Sequence, residues 1–239
     1  MPVSPIQTSE FSWLSESLGQ QATIVEKATQ LIRELIISGR LASGERIVES
    51  KIAREWGVGQ PTVREALKTL EGEGLVTYSP NRGCSVTELT GKQIEQITRL
   101  RATLETLAIE MAVENRANWN PQVLRDAIIE MKDAARKGDA NRYYESDLRF
   151  HQKLWELSVN PYLTKALTSV VLPLFSFVLR KHYQEKRIDL VVNAEEHSML
   201  AEVVISGSPK QVKSKIEKIL ASFGNIYLEL SKTTHNETE

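Results

Sequence analysis

The sequence has one cysteine, Cys84, so no internal disulfide can staple it; the expectation is a chain held by its core and suited to a reducing cytoplasm. It has no apolar run near the roughly 18 residues that a membrane span needs, so no membrane partner is expected. The first ten residues carry neither a basic start nor an apolar stretch, and no secretory leader is expected there. Net charge is nearly absent, with 30 Lys and Arg against 31 Asp and Glu. Composition alone therefore does not announce a nucleic-acid partner. Also missing are a His-Glu-x-x-His pair, a nucleophile elbow and a phosphate-binding glycine loop, which removes several common enzyme signatures. No internal repeat or low-complexity run is visible.

What is present is the composition of a globular chain of 239 residues, 41% hydrophobic and 26% charged, long enough for two domains. Residues 1–20 read as a lead-in, with Phe11, Trp13, Leu14 and Leu18 able to dock a short helix. Ile24, Ala28, Leu31, Ile32, Leu35 and Ile36 form a helical stripe ending near Gly39. A short helix with Ile52, Ala53 and Trp56 inward closes at Gly57. Another begins at Gly59-Gln60-Pro61, where proline suits a first turn, buries Val63, Leu67 and Leu70, and ends at Gly74. Leu75 to Tyr78 and Cys84 to Val86 flank the turn Ser79-Pro80-Asn81-Arg82-Gly83 and read as a β-hairpin.

Beyond residue 88 every start signal is helical. Thr90-Gly91-Lys92-Gln93 is a capping box, followed by Ile94, Ile97, Leu104, Ala108 and Met111 at helical spacing. Asn120-Pro121, Asn160-Pro161 and Ser208-Pro209 pair an N-cap with a first-turn proline, and Asp139 caps another helix. Pro173, inside an apolar helix, is expected to kink it. The fold class predicted is mainly α. A winged helix-turn-helix of three helices plus the hairpin (21–88) precedes an antiparallel bundle of about six helices (89–232), with a disordered tail over 233–239.

Two short helices around Gly57-Val58-Gly59 form a helix-turn-helix, whose second helix is the one presented to a DNA major groove. Its polar residues include Gln60, Thr62, Arg64 and Lys68. Arg64 can pair with a guanine edge or a phosphate, and Gln60 can read adenine. The hairpin tip Asn81-Arg82-Gly83 can reach the adjacent minor groove or backbone. Against this, residues 21–88 carry nine basic and nine acidic side chains. DNA binding then requires that the charges segregate by face.

The segments Leu41-Ala42-Ser43-Gly44-Glu45-Arg46-Ile47-Val48-Glu49, Ile52-Ala53, Gly57-Val58, Val63-Arg64-Glu65-Ala66-Leu67 and Glu73-Gly74-Leu75-Val76 resemble the GntR family of bacterial regulators, with the spacing intact. The resemblance implies a winged-helix homodimer on a pseudo-palindromic double-stranded DNA operator. It places Thr62 and Arg64 on the recognition helix and Asn81, Arg82 and Gly83 on the wing. Gln60 stands where the family usually has an arginine. Residues 90–230 resemble the helical ligand-binding domain of the FadR-like subfamily through Leu100-Arg101, Leu104-Glu105, Asp147-Leu148-Arg149-Phe150-His151, Asn160-Pro161 and Glu196-His197. That resemblance implies a divalent metal on one Asp and three His, helping to hold a small carboxylate effector.

The residues support part of that set. Asp147 and His151 are four apart, so one helix face carries both, bordered by Tyr144, Leu148, Leu154 and Trp155. His197 opens a face with Leu200, Ala201 and Val204. By the family's spacing the fourth ligand falls at Ile219, which cannot bind a metal, and Ser222 is a poor substitute. A three-ligand site for Zn, Ni or Mn is expected at Asp147, His151 and His197; the alternative is a hydrogen-bonded polar pocket. Arg101 and Arg180, each in an apolar stretch, are candidates for a carboxylate, with Tyr144 lining the same cavity. The chain thus reads as an effector-controlled transcriptional regulator, expected to be a repressor, cytoplasmic and not an enzyme. The alternatives are a metal-dependent helical hydrolase or lyase using Asp147, His151 and His197, or a winged helix that binds protein.

Overall fold

The computed structural model describes residues 22–179 and 187–207. The chain divides into two units, 1–88 and 89–239. In the first, α1 (Ile24–Ile37), α2 (Glu49–Trp56) and α3 (Gln60–Gly72) pack beside a small sheet of β1 (Arg46–Ile47), β2 (Val76–Ser79) and β3 (Gly83–Val86). Thr23 and Glu26 cap α1 reciprocally. The helix then buries Ala28, Leu31, Ile32, Leu35 and Ile36, while Ile24, expected in the same stripe, is exposed at the first turn. α1 and α2 close Val63, Ala66, Leu67 and Leu70 of α3 into a core that is almost completely shielded from water. Gly57 ends α2 in the left-handed region (φ 67°), which favours glycine, and this turn aims α3.

The sheet is larger than the hairpin the sequence suggests. β3 is central, flanked by β2 and by the two-residue β1, both antiparallel. β1 escaped notice because two residues show no alternation. The pairing Ile47↔Cys84↔Tyr78 defines the inner face, and Arg46↔Ser85↔Thr77 the outer. Burial pushes the Cys84 thiol up to about 12, with Glu71 and Glu49 adding to it, so this cysteine is a core residue and not a nucleophile.

The second unit contains five α-helices among its described residues: α4 (Gly91–Glu114), α5 (Gln122–Lys137), α6 (Ala140–Glu156), α7 (Pro161–Leu174) and α8 (Leu190–Ser206). The Thr90–Gln93 capping box starts α4. Asp139 starts α6, and Asn160 starts α7 by accepting from the amides of Tyr162 and Leu163. At Asn120-Pro121 the helix begins at Gln122, whose amide binds Asn120 Oδ1. Pro173 lies at the penultimate position of α7, and a π-helical stretch (Phe175–Leu179) follows it. A proline there withholds one amide from the ladder, and the wider turn follows at once. α5 packs on α6 and on α8, while α7 packs on α4 and α6. Arg180, Ile219, Ser222, Ser208-Pro209, the lead-in and the tail lie outside the described residues.

Asn160→Ala would remove the cap of α7. The expected cost is about 1 kcal/mol of unfolding free energy, read from the denaturant midpoint at unchanged m-value.

Candidate functional site

The outward face of α3 carries Gln60, Arg64 and Lys68 at i, i+4 and i+8, all exposed, with Thr62 half-buried beside them. Glu65 and Thr69 occupy the other flank. The wing tip turns through Asn81 (φ 63°) and Gly83 (φ 79°), and Arg82 is exposed between them. The outer face of the sheet forms an open concavity lined by Arg46, Thr77, Ser79, Asn81, Arg82 and Ser85. Arg46 lies in a stretch with no periodic signal in the sequence, and the pairing of β1 with β3 places it on this face.

Several carboxylates of this unit have partners inside it. Glu26 caps α1, Glu45 accepts from the Ala42 amide, Glu71 from the Tyr78 amide, and Glu73 pairs with Arg33. Glu49 accepts from Arg64, Gln60 and Tyr78. More than half of the nine carboxylates are therefore tied to internal partners, while Arg64 stays half exposed (53%) beyond its pair.

In the second unit a cluster of ionisable side chains lies deep in the bundle. Arg101, Glu105, Asp147, His151 and His197 are each at most 3% exposed. α4 supplies the first two, α6 the next two and α8 the last. Asp147 Oδ1 is 3.0 Å from His197 Nε2 and 3.5 Å from His151 Nε2, and the two Nε2 atoms are 3.2 Å apart. His197 Nδ1 donates to the Asn193 carbonyl at 2.8 Å. His151 Nδ1 lies 2.9 Å from Glu105 Oε1, off the line of an ideal hydrogen bond. Both Nδ1 atoms thus face oxygen acceptors, which leaves both Nε2 lone pairs converging with a carboxylate oxygen.

A proton or a cation can bridge these three atoms. Burial disfavours the charged form of His197, but Asp147 outweighs burial and raises its pKa. For His151 burial wins, with Arg101 adding to it and Glu105 offsetting only part, so its pKa is lowered. Arg101 Nη2 lies 3.2 Å from His151 Nε2. Burial opposes ionisation of Glu105, yet Arg101 and His151 hold its carboxyl far below the usual carboxylate range. Glu105 takes Arg101 Nε at 2.9 Å and the Trp155 indole at 3.0 Å, and Phe175 lies under the Arg101 guanidinium, 5.0 Å from the ring centre.

The donor set fits a divalent cation. One ion bonded at about 2.0–2.2 Å to each of three N and O donors would hold them about 3–3.5 Å apart, the spacing seen here. Each imidazole also has an oxygen acceptor beside its other nitrogen, which fixes the ring and its tautomer as in metal-binding histidines. Tyr144 is buried on α6, one turn before Asp147. Tyr143 was not singled out, yet its hydroxyl donates to Asn193 Oδ1 at 2.7 Å and braces the turn that carries His197. In the sequence Glu105 carries one signal beyond the family resemblance, its i,i+4 spacing from Arg101.

Residues 24–86 match the family described as bacterial regulatory proteins, gntR family, and residues 96–222 match the FCD domain. The chain is 30% identical over 140 residues to the HTH-type transcriptional regulator YdhC of Bacillus subtilis, covering 58% of this chain and 62% of that one. It is 29% identical over 195 residues to the gluconate operon transcriptional repressor of the same organism, covering 80% of this chain and 78% of that one. Some of these alignments thus span under two thirds of the relative's length, as with YdhC. Among solved structures, Escherichia coli McbR/YncC superposes with a TM-score of 0.74 over 87% of this chain and 99% of the other, at 20% identity, a likeness of fold. These are regulators, and the hydrolase or lyase alternative finds no relative among them. With one family covering the winged helix and the other more than half of the chain, this protein belongs to the GntR family of bacterial transcriptional regulators, in the group that carries an FCD domain.

Proposed function

We propose that the chain is a homodimeric, effector-controlled repressor. Its α3 helices read the two half-sites of a DNA operator, and a small carboxylate in the FCD unit sets the affinity. The observation that carries the sensing half is the convergence of Asp147, His151, His197 and Arg101 in a fully buried cluster. Burying that much charge is costly for a fold, which argues that the cluster serves binding.

Asp147, His151 and His197 would hold a divalent cation, and two nitrogens with one oxygen suit Zn or Ni better than Mg or Ca. When bound, such an ion supplies positive charge that a ligand carboxylate can share. His151 Nε2 has one lone pair, and Arg101 Nη2 faces it. With that lone pair taken by a cation, the Arg101 donor turns to a carboxylate, for which its planar fork is suited. Tyr144 and Arg180 remain candidates for the same ligand. The effector acts on DNA affinity only through different affinities for two arrangements of the dimer. Location in the cytoplasm follows from this role.

On the DNA side, Gln60, Thr62, Arg64 and Lys68 approach the major groove, while Asn81, Arg82, Gly83 and Arg46 approach backbone or minor groove. Arg64→Ala is expected to weaken binding to a selected operator by roughly five- to a hundred-fold and to flatten preference at one base pair in each half-site. Fluorescence anisotropy over a salt series checks this; salt-independent binding of the wild type would remove DNA from the account.

Protein stripped with chelator and titrated with Zn²⁺ or Ni²⁺ alone should take up one ion per chain by calorimetry. His197→Ala should abolish uptake, and Glu105→Gln should weaken it about ten- to a hundred-fold by releasing His151. Undiminished uptake by the His197 variant would place the ion elsewhere.

Small mono- and dicarboxylates titrated into the operator complex should include one that shifts DNA affinity. Arg101→Lys, which keeps the charge and loses the fork, should raise the concentration of that ligand needed by about tenfold. A ligand response identical to wild type would exclude Arg101 from the contact.

A further inference from the structure

Glu49 opens α2, and its carboxylate reaches across to the reading helix. Oε2 accepts from Arg64 Nε at 3.1 Å, from Arg64 Nη2 at 2.9 Å and from Gln60 Nε2 at 3.2 Å. Oε1 accepts from the Tyr78 hydroxyl at 3.1 Å. A single side chain therefore fastens the first turns of α3 to strand β2. The Glu49 side chain is only 15% exposed, against 53% for Arg64. Burial would raise its pKa, but the bonds from Arg64, Gln60 and Tyr78 outweigh burial and lower it, so the carboxylate is charged at neutral pH.

An anion behind a surface that must approach phosphates carries a penalty, since it repels the polyanion. A neutral side chain could brace the same helices without that penalty. What only the anion supplies is a charge-assisted clamp on a guanidinium. A guanidinium offers two planar forks, Nε with Nη2 and Nη1 with Nη2. Glu49 Oε2 occupies the first, and the Arg64 side chain as a whole remains 53% exposed.

We propose that Glu49 is a specificity-determining positioning residue: by holding the Nε edge of Arg64 it presents only the Nη1/Nη2 edge to a base, committing Arg64 to the paired acceptors O6 and N7 of a guanine. This rests on the DNA-reading function proposed above. Free, a long arginine samples many rotamers and serves equally well as a loose phosphate contact. Clamped, it has lost that freedom before the duplex arrives, and it meets one geometry well and others poorly. Gln60 spends one amide hydrogen on the same carboxylate and keeps its carbonyl oxygen and the other hydrogen for a neighbouring base.

The test uses the full-length protein and duplexes enriched from a random-sequence pool. Wild type, Glu49→Gln, Arg64→Lys and the double variant are titrated against the best duplex, against versions altered at each base pair, and against random duplex. For Glu49→Gln, discrimination at one symmetric guanine position should fall about tenfold. Affinity for random duplex should rise by about two- to five-fold, because a negative charge has gone. In the Arg64→Lys background, Glu49→Gln should leave discrimination at that position within twofold, since no fork remains to orient. A Glu49→Gln protein that loses affinity for every duplex in parallel has lost mere support for the helix, and the proposal is overturned. Unchanged discrimination overturns it as well. If Glu49→Gln unfolds, by circular dichroism and thermal melting, the selected guanine decides: a wild-type operator with no guanine whose preference disappears in Arg64→Lys sinks the assignment. Failure of the underlying reading looks different, because the wild type itself would then show no salt-dependent binding to any duplex.

Discussion

Everything distinctive about the helical unit follows from the difficulty of taking charge out of water. A carboxylate, two imidazoles, a guanidinium and a second carboxylate are buried together at the meeting of α4, α6 and α8. None could be tolerated alone, because an unpaired buried ion costs several kcal/mol. Glu105 answers Arg101, His151 and Trp155, and Asp147 answers His197. Removing one member of such a set leaves its partner with the full desolvation penalty. Replacement by apolar side chains of equal volume would often be neutral or stabilising for a fold. Keeping the ions is what the binding role proposed for them would require.

The same cluster marks where sequence reading succeeds and where it stops. Caps are local, and Thr90, Asp139 and Asn160 each occupy the positions their neighbours imply. The face of α4 is not local. Ile97, Leu104 and Met111 suggest one apolar stripe, yet they are only half-buried. The shielded stripe runs through Ile94, Thr98, Arg101, Glu105, Ala108 and Ala112. Hydrophobic periodicity assigns charged residues outward, and it fails where two charges satisfy each other inside. Asp147 and His151 were legible because four residues on a helix bring side chains together. That they meet His197, 46 residues on, is set by tertiary packing of α6 and α8 near α5, which no spacing rule reports.

Strand β1 shows the same limit in the first unit. Two residues, Arg46 and Ile47, show no alternation, and only pairing with Ser85 and Cys84 makes them a strand. Formal charge is a comparable trap. Balanced counts look unpromising for a DNA reader. However, Glu26, Glu45, Glu71 and Glu73 serve caps, turns and an internal ion pair. A charge count says nothing of where each carboxylate sits, whereas a polyanion feels the local field of the face it meets.

One construction recurs at an arginine in each unit. Arg64 gives Nε and Nη2 to Glu49; Arg101 gives Nε to Glu105 and turns Nη2 to His151. In both, a carboxylate holds the stem end of the guanidinium. The physical benefit is the same: the ordering cost of a long side chain is met within the fold, so a later contact loses less entropy. The two differ in legibility. Arg101 and Glu105 are four residues apart on one helix, whereas Glu49 and Arg64 are fifteen apart on two. They differ in surroundings too. At Arg101, exposed by 3%, the low dielectric strengthens both the clamp and any ligand contact. At half-exposed Arg64, water and salt weaken the charge term, and direction is what the clamp contributes most. An arginine anchored inside the bundle is therefore suited to affinity for a small anion, and one anchored at the surface to choosing between bases.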